Sequence, residues 1–84
     1  MSRYNEAKRE ILEALEDLGE ATAEEVAGFL GRSHESVSMA LLRYHRQGLV
    51  SRQTLEGRTK IYQLTQRGME RLWYLVEHAS FTAM

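Results

Sequence analysis

Residues 30–65 constrain the fold more than any other part of the chain. They read LGRSHESVSMALLRYHRQGLV, then SRQTLEGRTK, then IYQLT. Leu30-Gly31 is a helix ending. Ser33 is a good N-cap residue, because its hydroxyl can accept a free backbone N–H of the first helical turn. Glu35 then sits where the helix macrodipole favours an acid. Val37, Leu41 and Tyr44 recur at spacings of four and three, which puts them on one buried face of a helix. Gly48 closes that helix, and Leu49 can fold back onto its last turn in a Schellman ending. Residues 49–55 and 60–64 alternate as two short strands, with Tyr62 and Leu64 facing inward. Between them, Glu56-Gly57-Arg58-Thr59 places a glycine where a hairpin needs positive φ.

The flanking segments complete one domain, taken as 1–84, with a core over about 5–65. Residues 5–18 place Ala7, Ile11, Ala14, Leu15 and Leu18 on one helical stripe, with Glu6, Glu10, Glu13 and Asp17 elsewhere; Gly19 ends the helix. Residues 22–30 form a second, shorter helix. It opens with the Thr22-x-x-Glu25 capping box and turns Val26, Phe29 and Leu30 inward. Gly28 costs this helix about 1 kcal/mol against alanine, a cost that close helix packing would justify. Thr65 caps a last helix over about 65–79, and Ser80 to Met84 carry a weak helical signal and are expected to fray. The chain has no proline and no internal repeat. The expected class is α+β, mostly α: a three-helix core, a two-stranded β-wing and a C-terminal helix. That is a helix-turn-helix with a wing.

Composition enters through charge. The net charge is -1, which does not favour a polyanion partner. Its distribution does. Residues 1–31 hold three cations against eight acids, a net of -5, whereas residues 32–84 hold eight cations against four acids, a net of +4. The basic part is the part with the capped helix and the hairpin, and binding to phosphates depends on local potential. The competing reading is ordinary solvation of a charged surface.

A helix-turn-helix presents its second helix to a major groove. Geometry then nominates residues 33–47 as that helix, with His34, Glu35, Ser36, Ser38 and Met39 near base edges. Arg43, further along, can reach phosphate or a guanine edge. Residues 55–60 form the wing, with Arg58 at its tip and Thr59 and Lys60 behind, placed for backbone or minor groove. Each has a bland alternative: Arg43 and Arg46 as solvated helix charges, Met39 and Leu42 as a protein-contact patch.

The string LGRSHESVSMALLRYHRQGLVSR resembles the corresponding segment of ArsR- and MarR-type winged-helix regulators, through Leu30-Gly31, Ser33, Val37-Ser38, Leu41 and Gly48-Leu49-Val50. Gly57-Arg58, Tyr62-Gln63-Leu64-Thr65 and Gly68 resemble the hairpin and following helix of the same families, so the likeness covers about residues 24–72. The resemblance implies sequence-specific binding of double-stranded DNA by a homodimer, usually in repression. Two departures stand out. Met39 and Leu42 occupy positions that are often basic or long and polar in those families. The cysteine-containing metal motif of ArsR-type sensors is absent, since the chain has no cysteine.

Other chemistry finds no support. There is no Gly-rich phosphate loop, no HExxH and no cysteine nucleophile, so no enzyme and no cofactor are expected. His34, His45 and His78 offer no closely spaced ligand pair, and no metal site is expected. The polar opening MSRYNEAKRE is unlike a secretory signal, and the longest apolar run, LWYLV, is far too short for a membrane span; a cytoplasmic protein is expected. No effector is identifiable.

A chain of 84 residues buries only about 60–65% of its unfolded surface. Its last helix carries Met69, Leu72, Trp73, Leu75 and Val76, an apolar surface wider than one core stripe. The surplus is expected to pack on a second copy through Tyr4, Leu72, Trp73, Leu75 and Val76. The alternative leaves Trp73 and Tyr74 at the edge of the protomer's own core.

Overall fold

The computed structural model describes the backbone of residues 3–82 and the side chains of residues 5–78. In chain order the elements are α1 (Arg3–Leu18), β1 (Glu20–Ala21), α2 (Ala23–Leu30), α3 (His34–Arg46), β2 (Val50–Thr54), β3 (Lys60–Leu64) and α4 (Gln66–Thr82). The expected winged helix-turn-helix is the observed fold. The sheet differs in having three antiparallel strands, ordered β1-β3-β2. β3 pairs with β2 from Val50↔Leu64 to Thr54↔Lys60 and with β1 through Glu20↔Gln63 and Ala21↔Tyr62. Two residues are too few for a period-2 signal, so β1 had no local signature; β3 recruits it.

Local chemistry sets most element ends as expected. Thr22 and Glu25 form the reciprocal capping box, with the Glu25 N–H donating to Thr22 Oγ1 at 3.0 Å and the Thr22 N–H to Glu25 Oε1 at 2.8 Å. Ser33 Oγ accepts the Ser36 N–H at 3.2 Å. The end of α3 is a Schellman motif: Gly48 has φ 78°, the Leu49 N–H donates to Tyr44 O at 2.9 Å, and the Gly48 N–H to His45 O at 3.0 Å. Thr65 Oγ1 accepts the Gly68 N–H at 3.0 Å, which caps α4. α4 continues to Thr82, past the expected end near 79; Ala83 and Met84, part of the tail expected to fray, lie outside the described residues.

The core is one cluster between α1, α2, α3, β3 and α4, with Leu12, Leu15, Val26, Val37, Leu41 and Tyr44 at its centre. Several expectations about its membership need correction. Leu12 is fully buried, because α1 is covered by α2, α4 and β3 and its inward arc is wider than one stripe. Leu18 is exposed, at the last turn of α1, and Phe29 is 56% exposed. In α2 the small residues Ala23 and Ala27 join Val26 on the inward arc, which leaves Phe29 outside. Gly28 is exposed as well, and a Cβ there would meet nothing within 4 Å. Close packing therefore does not explain this glycine. Gly28→Ala is expected to raise stability by up to about 1 kcal/mol, measured as an increased urea midpoint at unchanged m-value.

Lys8 falls in the buried arc of α1 and is 5% exposed. Its ammonium donates to Gln47 Oε1 at 2.9 Å and lies 5.3 Å from the centroid of the Tyr44 ring. Burial of a charge is tolerated where hydrogen bonds and an aromatic face compensate for lost water. The contact ties α1 to the C-cap of α3.

Candidate nucleic-acid interface

The turn between α2 and α3 is short, and its Arg32 is held from behind by an ion pair, Nη2 to Glu10 Oε1 at 3.0 Å. This fixes the start of α3 relative to α1. From that start His34, Glu35, Ser36, Met39 and Arg43 are exposed, with Met39 at 59%, while Ser38 and Leu42 are half-buried. Val37, Ala40, Leu41 and Tyr44 hold the opposite side of the helix in the core. The Arg43 guanidinium lies 6.0 Å from the centroid of the Tyr44 ring, so its stem is braced along the helix surface.

The wing is a hairpin closed by the Leu55 N–H donating to Thr59 O at 2.8 Å, with Gly57 at φ 75° as its tip requires. Arg58 and Thr59 are exposed. Lys60 is partly committed: its Nζ donates to Thr54 Oγ1 at 2.7 Å, bridging the two legs of the hairpin.

β3 returns the wing toward the front of α3. A cleft of about 290 Å³ opens there, lined by His34 and Ser38 of α3, by Arg58, Thr59 and Lys60 of the wing, and by Thr22 and Glu24 at the start of α2. Five of the nominated residues, from two separate elements, thus share one concavity. Glu35, Ser36, Met39 and Arg43 belong to the open face of α3 and do not line it. Thr22 and Glu24 join the site without a sequence signal for it. The α2 start sits beside the wing through the β1–β3 pairing, which no local pattern announced. Glu24 gives the cleft a carboxylate among its cations, so this rim repels phosphate while the wing tip attracts it.

The C-terminal helix needs a correction. Leu72 and Leu75, nominated for a dimer contact, are 2% and 5% exposed within the chain's own core, because α4 packs its inward face against α1 and β3. Trp73 and Val76 are exposed, as is Tyr74, whose ring stacks on His78 at 3.9 Å between centroids. The side chain of Tyr4 lies outside the described residues. His34 and His45 fall at the two ends of α3 and His78 on α4. Among the described residues no group of three or more His, Asp or Glu side chains could hold a metal ion, and no helix is long and apolar enough to cross a membrane.

No protein-family model matches the chain, and no curated protein does. Solved structures do. A MarR family transcription regulator matches at 28% identity and a TM-score of 0.80 over 90% of this chain and 52% of its own. YusO from Bacillus subtilis matches at 19% identity and 0.82, over 92% and 57%. The transcriptional regulator BldR from Sulfolobus solfataricus matches at 19% and 0.80, over 90% and 55%. The winged-helix fold of this chain is therefore one that these three proteins share. The chain spans about half the length of each.

Proposed function

We propose that this chain is a sequence-specific double-stranded DNA-binding transcription regulator that acts as a homodimer. Residues 33–47 enter the major groove, and the wing, residues 55–60, meets the backbone or minor groove. The observation that carries the reading is the shared cleft, where the first two turns of α3 and the wing tip stand side by side. A winged helix uses such a pairing to read base edges and hold phosphates at once. Two proteins of similar structure, a MarR family transcription regulator and the transcriptional regulator BldR, point the same way. His34, Ser36, Ser38 and Met39 read bases, with Glu35 able to accept from a cytosine amino group. Arg58 and Thr59 hold phosphates, Arg43 reaches a phosphate or a guanine edge, and Lys60 braces the hairpin.

The homodimer reading rests on α4, where Trp73 and Val76 remain exposed after Leu72 and Leu75 are buried. Sedimentation at micromolar concentration should give a dimer, and Trp73→Glu with Val76→Glu should give a monomer. A monomeric parent chain would remove the two-fold arrangement from the proposal.

The direct test is selection from a random duplex library at about 150 mM salt, where purely electrostatic binding is much reduced. A pseudo-palindrome with half-sites roughly 10 bp apart is expected. Binding without a motif would make the protein a non-specific DNA coat. The 59% exposure of Met39 favours a second reading, a protein-interaction module using Met39, Leu42 and the apolar last helix. Absence of any duplex binding would select it.

A further inference from the structure

At the far end of α3 from the wing cleft, a second cleft of about 500 Å³ is lined by Lys8, Arg46, Gln47, Leu49, Arg67 and Arg71. Four of the six are cations and none is an acid. The three arginines are exposed, and none makes an ion pair among the described residues. They come from different elements: Arg46 from the last turn of α3, Arg67 and Arg71 from the first turns of α4. The Arg67 stem crosses the α3 exit, with its Cδ 3.7 Å from where a Gly48 Cβ would stand.

Like charges repel across a shared concavity, and Arg67 stands in the first turn of α4, at its positive end. The negative end of α3 accounts for one cation there, but not for three arginines beside the buried Lys8. Arginine forks match phosphate oxygens two at a time. We infer that the Arg46–Arg67–Arg71 cleft binds a phosphate-type oxyanion, either a free phosphate compound or a phosphodiester of bound duplex.

The cleft is separate from the wing cleft, and its free-anion form does not depend on the DNA reading. The probe is inorganic pyrophosphate, titrated into the full chain with sodium chloride at matched ionic strength as control, and followed by amide chemical shifts. Saturable shifts are expected around residues 46–49 and 67–71. In Arg67→Gln/Arg71→Gln they should weaken at least tenfold, with the remaining spectrum and the melting temperature retained. The source follows from duplex binding across salt concentrations. If the oxyanion is a DNA phosphate, the double variant lowers the log–log salt slope by about 1.8, since each lost phosphate contact removes about 0.9. If it is a free compound, the slope stays and the pyrophosphate response alone is lost. Shifts that never saturate, or that match in parent and variant, together with an unchanged salt slope, would overturn the site.

Discussion

Gly68→Ala is expected to melt at least roughly 12 °C below the parent, from a loss of about 3 kcal/mol or more. Gly68 lies buried in the first turn of α4. A Cβ there would be driven into the Leu49 carbonyl oxygen, and would also stand 3.0 Å from the Leu49 carbonyl carbon and 3.1 Å from Leu64 Cδ2. The backbone has little room to give way. The same Leu49 carbonyl accepts the Thr65 N–H at 3.1 Å. Thr65 Oγ1 donates to Gly48 O at 2.7 Å while accepting the Gly68 N–H at 3.0 Å. Moving Leu49 away would break these bonds, each worth about 1 kcal/mol, and disturb the Schellman ending of α3. The better helix propensity of alanine, about 1 kcal/mol, is too small to compensate. Thermal melts followed by circular dichroism test this directly. A melting temperature equal to the parent's would show that the Leu49 turn yields freely. The contrast with Gly28→Ala is instructive: the same substitution carries opposite signs, because one Cβ points into space and the other into a carbonyl.

The double substitution Arg43→Ala/Arg58→Ala is expected to weaken duplex binding roughly a hundredfold, about 1.4 kcal/mol for each arginine. The two act from different elements, one on the brace above Tyr44 and one at the hairpin tip, so their effects should add. If both meet phosphates, the slope of log affinity against log salt falls by about 1.8. If Arg43 instead forks onto a guanine, its removal leaves the slope nearly intact and relaxes preference at one base pair. Anisotropy titrations of single and double variants over a salt series separate the two. Parent-like affinity and slope in the double variant would show that these side chains do not face the duplex.

Much of the fold could be read from local chemistry. Thr22 with Glu25, Ser33, Gly48-Leu49 and Thr65 each satisfy backbone groups within a few residues, and each behaves in the structure as its type and position imply. What escaped reading depends on distant partners. Lys8 looks like one more surface lysine of a charged helix; its burial follows from Gln47, 39 residues away. Phe29 looks like core until Ala23 and Ala27 bring α2 close to its neighbours. On α4 every apolar residue is eligible for either face, and only the seating of the helix on α1 decides that Leu72 and Leu75 go inward and Trp73 and Val76 outward. The site divides in the same way. The helix face was readable from periodicity, but the meeting of His34 and Ser38 with Arg58 and Thr59 depends on how β3 returns the hairpin.

That return has a mechanical result. β3 is the central strand, paired along its length with β2 and, through Gln63 and Tyr62, with the two residues that lead into the capped start of α2. The wing is therefore stitched to the same piece of chain that launches the helix-turn-helix, and the two grips on the proposed duplex behave as a caliper with a locked jaw. Play is confined to the few residues beyond the last strand pair, Thr54↔Lys60. On the proposed duplex this pairing sets the distance from the start of the helix-turn-helix to the base of the hairpin, and only the tip that carries Arg58 and Thr59 lies beyond it. The spacing between the two proposed grips is thus set in part by a two-residue strand.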